Sequence, residues 1–386
     1  MTRFLIVAGE VSGEIYGARL MREIRELHPA ASFTGIGGDK MRREGLDVLY
    51  HCRDMAAMGV VEMLGKARFF TNVIHDLRQK IKSGGFDAVI LIDYPGFNLR
   101  MARAAWESGV PVFYYVLPQI WAWRRYRMRS MKKWVDTAVA ALPFEPEFYA
   151  GYGMIAHFVG HPMLDELGAP SDVAALKMEL LPPGCDGLVG LMPGSRAGEV
   201  RNMLGPLVET ADLIRAQMPR IGFAIPAAPN IDVDFIKRTV GGRDFMRVVT
   251  DGSHRVIAAS DLVIAKSGTS ALEAALFGTP AVVVYRSSHV SYWLARALAK
   301  VKYSALPNII AAKEVAREFH QADFTPEKVA RHSLELLADP ERMAGARAEM
   351  GGVRQKLGDR GAAKRAASII VNRLLGLKPA LKGGGV

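Results

Sequence analysis

The sequence predicts an α/β protein of two Rossmann-like domains, each built on a parallel sheet, that face each other across a cleft. Short, uninterrupted apolar segments alternate with helical patterns along the chain, as they do when helices cover both faces of a parallel sheet. The second half of the chain repeats the layout of the first. The length of 386 residues exceeds what one core ordinarily holds, so two domains of similar size are expected.

The elements of the first half follow this alternation. A strand at Phe4–Ala8 leads into a glycine-containing turn, and a helical pattern then continues as far as Leu27. A longer helical pattern covers about 62–83. Further apolar runs predict strands at Ala31–Gly35, Ala88–Asp93, Val110–Val116 and Thr137–Leu142. We therefore place the first domain at residues 1–165.

The second half begins after residues 168–186, a stretch rich in Gly, Pro and Asp that is typical of a linker. A second domain is expected at 186–358. Its predicted strands are Gly187–Met192, Gly222–Ile225, Met246–Thr250, Asp261–Ala265 and Pro280–Tyr285, and its predicted helices cover about 198–217, 269–277 and 326–337. Residues 359–375 carry an apolar stripe, which predicts a helix that packs on the first domain or on a partner subunit. Residues 376–386 are expected to be disordered.

Composition limits the classes of function that the chain can have. The net charge of +11 favours acidic partners such as nucleic acid, phosphorylated metabolites or anionic lipid. The chain lacks both an apolar run long enough to span a bilayer and the apolar core of a signal peptide, so we expect a cytoplasmic protein without a membrane span. The two cysteines have no metal-ligand spacing and are expected to be reduced thiols.

One segment concentrates positive charge. Residues 121–134, Trp-Ala-Trp-Arg-Arg-Tyr-Arg-Met-Arg-Ser-Met-Lys-Lys-Trp, combine cations with aromatic side chains and contain no acid. The pattern is typical of a solvated helix face, but also of a membrane interface or a surface that binds an anionic ligand. Single-stranded nucleic acid ranks last, because no nucleic-acid fold signature accompanies the segment.

The loop after the first strand contains Ala-Gly-Glu-Val-Ser-Gly-Glu at residues 8–14. Its glycines, Gly9 and Gly13, allow a tight turn and close approach of a ligand. The carboxylates of Glu10 and Glu14 repel phosphate and suit sugar hydroxyls better. The alternative is a tight turn capped by Ser12. The dinucleotide fingerprint G-x-G-x-x-G does not occur here, which argues against a NAD enzyme.

A carboxylate follows the strand at 88–93, in the sequence Ile-Asp-Tyr-Pro-Gly-Phe-Asn at residues 92–98. Asp93 lies at the carboxyl end of the strand, beside the restricted turn that Pro95 and Gly96 impose. Partial burial would raise its pKa and suit it to act as a general base. A turn-stabilising role is the alternative. Asn98 is expected either to cap the following helix or to bind substrate.

Two loops in the second half suit a phosphorylated ligand. After the strand at 187–192 the chain turns at Gly194 and presents Ser195 and Arg196, whose planar cation suits a diphosphate. After the strand at 261–265, residues 267–269 open a helix whose free N–H groups favour an anion. The alternatives are a surface arginine and an ordinary capped helix. The dipole alone contributes only about 0.3–2 kcal/mol, so Arg196 is expected to assist it.

The remaining polar candidates are weaker. Glu273 lies one helical turn inside that helix, where it can accept hydrogen bonds from ribose hydroxyls. Asn308, in Leu-Pro-Asn, follows in a loop expected at the same edge, and His161 is expected to be a structural loop residue. Asp232 and Asp234 have the D-x-D spacing of metal-dependent glycosyltransferases, but their polar context favours a solvated loop. No metal and no cofactor are expected.

Taken together, the motifs resemble those of the lipid-A-disaccharide synthase family, glycosyltransferase family 19 of the GT-B superfamily. The resemblance covers residues 4–375. It is carried, in order and spacing, by the segments at 8–14 and 92–98, by Ile-Gly-Gly at 36–38, Pro-Gln-Ile-Trp-Ala-Trp at 118–123, Phe-Val-Gly-His-Pro at 158–162, Pro-Gly-Ser-Arg at 193–196, Ser-Gly-Thr at 267–269 and Leu-Pro-Asn at 306–308.

The resemblance implies a GT-B enzyme that joins UDP-2,3-diacylglucosamine to 2,3-diacylglucosamine 1-phosphate (lipid X), with inversion and without a metal. By this resemblance Asp93 is the general base and Arg196 binds the diphosphate. The donor, or UDP, site is expected to comprise Gly194, Ser195, Arg196, Ser267, Gly268, Thr269, Glu273 and Asn308. The acceptor site is expected to comprise Glu10, Ser12, Gly13, Asn98 and Gln119.

The sequence departs from the family pattern at two positions. The first loop ends in Glu14 where the family usually has Asp, and Gly96 replaces an acidic residue. We assign a catalytic role to neither residue.

Other partners and rival functions follow from the same reading. The basic charge predicts peripheral binding to the anionic cytoplasmic face of the inner membrane, to which the apolar segment 55–64 would contribute unless it is a core helix. A homodimer is left open, and no nucleic acid is expected. The rivals are a GT-B enzyme acting on a peptidoglycan precursor, a UDP-sugar epimerase, and a non-catalytic protein that binds a nucleotide sugar or anionic lipid.

Overall fold

The computed structural model describes residues 1–55, 67–168, 172–228, 231–250, 252–286 and 301–376. The chain divides into two compact units. Unit 1 comprises Met1–Glu166 and the C-terminal segment from Leu357, and unit 2 comprises Leu167–Lys356. Most of the apolar segment 55–64, the start of the helix expected at 62–83 and the tail expected beyond residue 376 lie outside the described residues.

Unit 1 is built on a parallel sheet of seven strands in the order β3-β2-β1-β4-β5-β6-β7. The central strands consist of consecutive buried apolar residues, which fits a sheet covered on both faces. The strands are β1 (Thr2–Ala8), β2 (Ala31–Gly37), β3 (Leu46–His51), β4 (Ala88–Ile92), β5 (Val112–Tyr115), β6 (Thr137–Ala140) and β7 (Ala156–Phe158). The five predicted strands are confirmed, whereas the edge strands β3 and β7 were not predicted.

Helices cover both faces of this sheet and form two apolar cores with it. They are α1 (Val11–Leu27), α2 (Asp39–Arg43), α3 (Cys52–Met55), α4 (Ala67–Lys82), α5 (Pro95–Glu107), α6 (Met128–Trp134), α7 (Glu145–Ala150) and α8 (Met163–Glu166). No helix in the described part of the chain combines the length and apolar character that crossing a bilayer requires.

Unit 2 contains a six-stranded parallel sheet in the order β10-β9-β8-β11-β12-β13. Its strands are β8 (Gly187–Met192), β9 (Ile221–Pro226), β10 (Met246–Val249), β11 (Leu262–Lys266), β12 (Ala281–Tyr285) and β13 (Glu318–His320). Its helices are α9 (Val173–Leu180), α10 (Ala197–Gln217), α11 (Val233–Val240), α12 (Ser253–Ala259), α13 (Thr269–Phe277), α14 (Leu306–Ala311), α15 (Pro326–Leu337) and α16 (Pro340–Lys356). The three predicted helices and five predicted strands are confirmed, and β13 was not predicted.

The stretch expected to be a linker contains α9. The side chain of Asp172 accepts a hydrogen bond from the Ala175 N–H at 2.8 Å and caps this helix. The stretch predicted to be a linker therefore contains a helix of unit 2. Its aspartates did not distinguish the two cases, because Asp is common both at helix N-caps and in loops.

The last helix of the described chain, α17 (Ala362–Leu374), returns to unit 1 and packs on α1. Its buried face includes Ala366 and Ile370, which join the same core as Leu20 of α1. The carboxylate of Asp165 fixes its start by accepting hydrogen bonds from the N–H groups of residues 361 and 363, at 2.5 and 3.1 Å.

In both sheets, the order in which successive strands are added reverses at a central pair of strands. In unit 1 the pair is β1 and β4, and in unit 2 it is β8 and β11. Ligands of doubly wound sheets bind outside the carboxyl ends of the strands at such a point. The loops predicted to carry site residues follow these strands. The loops after β1 and β4 are therefore adjacent in unit 1, and those after β8 and β11 are adjacent in unit 2.

Candidate active site

The candidate site of unit 1 begins where β1 and β4 end side by side. Ala8 is the register partner of Ile92, so the loop starting at Gly9 lies next to the turn at Asp93. A Cβ atom added to Gly9 would lie only 2.3 Å from the ring of Tyr94. Glycine is therefore required at this position, because the tyrosine ring occupies the space of a side chain.

The turn at Asp93 has an unusual backbone that neighbouring side chains hold in place. Asp93 and Tyr94 are both left-handed, with φ of 45° and 48°. The carbonyl oxygen of Asp93 accepts hydrogen bonds from Asn98 Nδ2 at 2.7 Å and from the Tyr114 hydroxyl at 2.6 Å. Such backbone persists only where the surroundings fix it, and it is common at functional sites.

The pKa of the Asp93 carboxyl suits a general base. Its pKa is raised to about 7, mainly by burial and also by the negative charge of Glu10, while a hydrogen bond from the Tyr94 N–H opposes the shift. A carboxyl with a pKa near 7 can accept a proton at neutral pH and still drive its transfer. The structure thus places two of the predicted residues, Asp93 and Glu10, within electrostatic reach of each other.

The first loop is shorter than its motif suggested, because α1 begins at Val11. Ser12 lies inside the first turn, and Glu10 occupies the N-cap position, so the alternative of a capping Ser12 is wrong. A Cβ atom on Gly13 would make only an ordinary contact, at 3.5 Å from Ala8. The steric need for glycine is at Gly9 and not at Gly13. Contacts of Glu10, Ser12 and Gly13 with an acceptor stay predictions.

Two polar residues of these motifs are buried and have partners within the protein. Glu14 is buried and accepts hydrogen bonds from the Lys40 N–H at 2.7 Å and from the Cys52 thiol at 3.5 Å, so it braces the loop after β2. Asn98 is fully buried, and its Nδ2 donates to the carbonyls of Ile92 and Asp93. Asn98 therefore positions Asp93, while its Oδ1 has no partner among the described residues, and its contact with an acceptor stays a prediction.

The loop after β5 carries Gln119 at its surface and is anchored by a buried acid that the sequence did not reveal. Glu145 accepts hydrogen bonds from the Trp121 indole at 3.3 Å and from the N–H groups of Ala141 and Leu142 at 3.2 and 3.0 Å. Burial raises the pKa of Glu145 to about 8. The exposed Gln119 is free of the core, and its contact with an acceptor stays a prediction.

The basic segment 121–134 has both buried and exposed aromatic side chains. Trp121 is buried, whereas Trp123 and Tyr126 are exposed. The Arg124 guanidinium lies 4.2 Å from the ring centroid of Trp123, a cation–π contact on that surface. The segment therefore presents cations and aromatic rings together to the solvent.

The candidate site of unit 2 begins at the carboxyl ends of β8 and β11, where Met192 and Ala265 are register partners. Gly194 has a φ of 114°, and a Cβ atom there would lie 2.6 Å from Glu199 Oε2. The turn therefore needs glycine both for its backbone and for the approach of Glu199. Ser195 and Arg196 follow it and are exposed.

Glu199 joins two cations at this turn. It accepts from Lys266 Nζ at 2.9 Å and from Arg196 Nη1 at 3.3 Å. Burial alone would raise the pKa of its carboxyl, but Lys266 and Arg196 lower it, so Glu199 is ionised. Two positive charges around one negative charge leave a surplus that suits a diphosphate. Neither Glu199 nor Lys266 was predicted from the sequence, although Lys266 directly precedes the predicted nucleotide loop at 267–269.

The predicted nucleotide loop opens α13 as expected. Gly268 is the N-cap residue, with a φ of 155°, and Thr269 is the first helical residue. Ser267 is half-buried beside it. Burial raises the pKa of Glu273 to about 7, and the Ser253 hydroxyl donates to its carboxylate at 3.3 Å. The loop thus supplies helix N–H groups and an acceptor, as binding of a phosphate and of hydroxyls requires.

Asn308 is held in place by several hydrogen bonds within unit 2. It is fully buried, and its Nδ2 donates to the Ala316 carbonyl at 2.7 Å and to Glu318 Oε1 at 2.8 Å. Its Oδ1 accepts from the N–H groups of Val315 and Ala316 at 2.8 and 2.9 Å. Every position of its amide is engaged by protein, and the direct contact with UDP predicted for Asn308 stays a prediction.

The weaker candidates have structural roles. Asp232 caps α11 by accepting from the N–H groups of Asp234 and Phe235, so this D-x-D pair belongs to a helix start and not to a solvated loop. His161 is buried, and its Nδ1 accepts from the Met163 N–H at 3.2 Å, as a structural histidine does. Among the described residues, no cluster of three or more His, Cys, Asp or Glu has the geometry of a metal site.

Comparison with known proteins finds the same family over nearly the whole chain. The family model described as lipid-A-disaccharide synthetase matches residues 4–371. A lipid-A-disaccharide synthase from Trichlorobacter lovleyi is 41% identical over 373 residues, which are 96% of this chain and 97% of that protein. Another from Nitrosococcus oceani is 39% identical over 372 residues, 96% of each chain.

Solved structures show the same architecture. The UDP-N-acetylglucosamine 2-epimerase from Neisseria meningitidis, bound to UDP-GlcNAc, superposes with a TM-score of 0.63 at 12% identity over 97% of this chain and 100% of that chain. The glycosyltransferase of kitacinnamycin gives 0.64 at 14% identity over 97% and 99%. At such identities the likeness shows the fold alone, and it confirms the predicted GT-B class.

Proposed function

Because the chain belongs to the lipid-A-disaccharide synthetase family and is therefore a glycosyltransferase of lipid A biosynthesis, we propose how its residues carry out the transfer. The donor is UDP-2,3-diacylglucosamine and the acceptor is lipid X. Asp93 takes the proton from the 6-hydroxyl of the acceptor, and that oxygen attacks the anomeric carbon of the donor. The bond from this carbon to UDP breaks, and the products are the β-1,6-linked disaccharide 1-phosphate and UDP.

The observation that carries the proposal is the state of Asp93. Its carboxyl is held at the carboxyl end of β4 by a turn that Asn98 and Tyr114 fix, and its pKa is about 7. A surface aspartate that only stabilises a turn gains nothing from such a pKa. A base that must remove a proton from an alcohol at neutral pH does.

The departing UDP is stabilised by positive charge from the protein. Arg196 and Lys266 supply cations around Glu199, and the start of α13 supplies N–H groups. These groups can stabilise the charge that develops on the diphosphate without a metal. Because protein groups stabilise the diphosphate in this proposal, a chelator is expected to leave turnover unchanged.

Attack on the side of the anomeric carbon opposite UDP inverts the configuration at that carbon.

The change Asp93→Asn tests the assigned base. Asparagine tolerates the left-handed backbone that Asp93 adopts, so the turn is retained while the base is lost. We expect turnover of purified enzyme with both defined lipids to fall on the order of 10²–10⁴-fold, with unchanged UDP affinity. Unchanged turnover would falsify the role of Asp93 and favour a protein that only binds its ligands.

The pH profile gives a second test of the same residue. A general base works only when deprotonated, so kcat/KM of the wild type should rise with pH through about 7, the pKa of Asp93. The residual activity of the Asp93→Asn variant should lack this rise. Glu147→Gln, an exposed change in the same unit, is a matched control that should keep the profile.

We also propose peripheral binding to the cytoplasmic face of the inner membrane. Both substrates are anionic lipids, and the exposed cations and aromatic rings of segment 121–134 suit an anionic surface. Trp123 and Tyr126 would lie at the level of the head groups. Association into a homodimer is a further part of this proposal, which sedimentation of the purified protein can test.

A further inference from the structure

Glu318 accepts more hydrogen bonds than any other carboxylate among the described residues of unit 2, and it was not predicted from the sequence. It lies at the start of β13, and its side chain is 9% exposed. Its two oxygens accept from the Ser304 hydroxyl at 2.8 Å, from His320 Nε2 at 2.8 Å and from the N–H groups of Ser304 and Ala305 at 2.9 and 3.1 Å. Burial opposes its ionisation, but these donors lower the pKa of Glu318 to about 2.

The amide of Asn308 completes this set of donors. Asn308 Nδ2 reaches Glu318 Oε1 at 2.8 Å, while the rest of the amide binds the backbone at residues 315 and 316. Asn308 therefore holds the carboxylate of Glu318 against the segment that begins α14. Any effect of Asn308 on a ligand has to pass through Glu318 or through this backbone.

The network continues to the nucleotide loop. The Ser267 hydroxyl lies 3.3 Å from the Ser304 carbonyl and 3.4 Å from the Ser304 hydroxyl. Because Ser304 donates its hydroxyl proton to Glu318, its oxygens are left to accept from Ser267. Ser267 directly precedes Gly268 and Thr269, the start of α13. The carboxylate thus fixes both the position of Ser304 and the direction in which Ser267 points its proton.

We propose that Glu318 is a positioning residue of the donor site, and that Asn308 acts on the nucleotide only through it. The inference rests on the proposed binding of UDP at Ser267–Thr269. In this arrangement the Leu-Pro-Asn motif serves to hold a buried carboxylate, and the carboxylate sets the edge of the nucleotide loop. Neither Asn308 nor Glu318 touches the ligand.

A double-mutant cycle on UDP binding tests this route. Asn308→Ala and Glu318→Ala should each weaken UDP affinity, measured by calorimetry, by about ten-fold or more, since each removes hydrogen bonds to a charged group. If both residues act through one network, the double variant should bind UDP about as weakly as the weaker single variant. Effects that multiply in the double variant would show that Asn308 has its own contact, and they overturn the inference.

A second variant and a kinetic split guard against a purely structural effect. Glu318→Gln keeps the size of the side chain but places an NH₂ group against the donors of Ser304, so it should raise the KM for the UDP-sugar while leaving the KM for lipid X unchanged. A melting temperature near that of the wild type shows that the variant is folded. Equal changes in both KM values, or unchanged UDP affinity, overturn the inference.

The control and the reference separate this inference from the proposed function. Glu335→Gln changes an exposed carboxylate of α15 and should leave UDP affinity unchanged. If the wild-type protein does not bind UDP, the proposed function fails and takes this inference with it. If the wild type binds UDP while the cycle is additive, only the role of Glu318 fails.

Discussion

Arg196 shares the carboxylate of Glu199 with Lys266, and this sharing sets what its side chain can do. Glu199 holds the guanidinium on one side through the contact at 3.3 Å, and Arg196 is otherwise 55% exposed. An arginine oriented by a carboxylate loses less freedom when it binds a diphosphate in a bidentate manner. Glu199 is therefore a residue that orients a cation, and the sequence did not indicate it.

Replacement of Arg196 by alanine should weaken UDP binding and turnover together. The loss of charge-assisted hydrogen bonds corresponds to about 1.5–3 kcal/mol, or roughly ten- to hundred-fold in the dissociation constant of UDP. Titration calorimetry measures this directly. Arg220→Ala, which removes a cation of unit 2 that is 75% exposed, is the matched control. Intact UDP affinity in Arg196→Ala would contradict the contact.

Glu145 should make the stability of unit 1 depend on pH. Its folded pKa of about 8 lies above the ordinary value of 4.5, so between these values the folded form is protonated and the unfolded form is not. Stability is fully present below the unfolded pKa and is lost as pH rises toward 8.

The change Glu145→Gln should remove that dependence. Its unfolding free energy should fall less steeply from pH 5 to 8 than that of the wild type, by up to about 1.4 kcal/mol per pH unit. Urea unfolding at several pH values measures the slope. Glu147→Gln, on the same helix but exposed, should leave the slope unaltered. Parallel slopes for Glu145→Gln and wild type would contradict the shifted pKa.

The residues that sequence analysis located best are those defined by backbone position. Asp93 and Ser267 directly follow strands, and Arg196 lies in the loop after β8, so all three were predicted from the rule that ligands bind at the carboxyl ends of parallel strands. The amides were harder to interpret, because the side chains of Asn98 and Asn308 bind the protein backbone, a role that the sequence did not indicate. The sequence does not distinguish an asparagine that binds the backbone from one that binds a ligand, because the amide can form hydrogen bonds with either.

At the scale of elements, the strength of the apolar pattern decided what was predictable. The central strands are runs of fully buried residues, and their positions followed from the sequence. The edge strands β3, β7 and β13 are half exposed, and two of them have only three residues, so their sequence has neither the length nor the continuity of a buried strand. Buried acids such as Glu145 and Glu318 depend on tertiary contacts that no local pattern contains.

The helix α17 belongs to the core of unit 1, and its removal from that core should be costly. Ile370 is fully buried among residues of α1 and the sheet. Ile370→Ala should lower the free energy of unfolding by about 2–5 kcal/mol, since it leaves a cavity. Urea unfolding measures this loss. Leu375→Ala, at a side chain that is 49% exposed, should change stability by no more than about 0.5 kcal/mol.

At the scale of the whole molecule, the net charge of +11 is the property with the longest reach. Charges attract an anionic membrane over about 10 Å at 0.1 M salt but over only about 3 Å at 1 M. The protein should therefore bind vesicles that contain phosphatidylglycerol at low salt and leave them at high salt. Vesicles of phosphatidylcholine alone are the comparison. Binding that resists salt would contradict an electrostatic attachment.

The segment 121–134 should contribute more to this binding than other exposed cations. Replacement of Arg124 and Arg129 by glutamine should weaken vesicle binding by about 1 kcal/mol for each charge, roughly thirty-fold together. Co-sedimentation at low salt measures the change. Replacement of Arg331 and Arg354, two exposed arginines of unit 2, removes the same charge and should have a smaller effect.

The return of α17 to unit 1 has a consequence for synthesis of the protein. The ribosome makes β1 and α1 before unit 2, but it makes the helix that packs on α1 only after unit 2. Until that helix is made, the surface of α1 on which it packs stays exposed in the nascent first unit. The second unit has its complete sequence earlier and can finish folding sooner. We expect chains released before Ala362 to be substrates for chaperones and proteases, so that only finished chains accumulate.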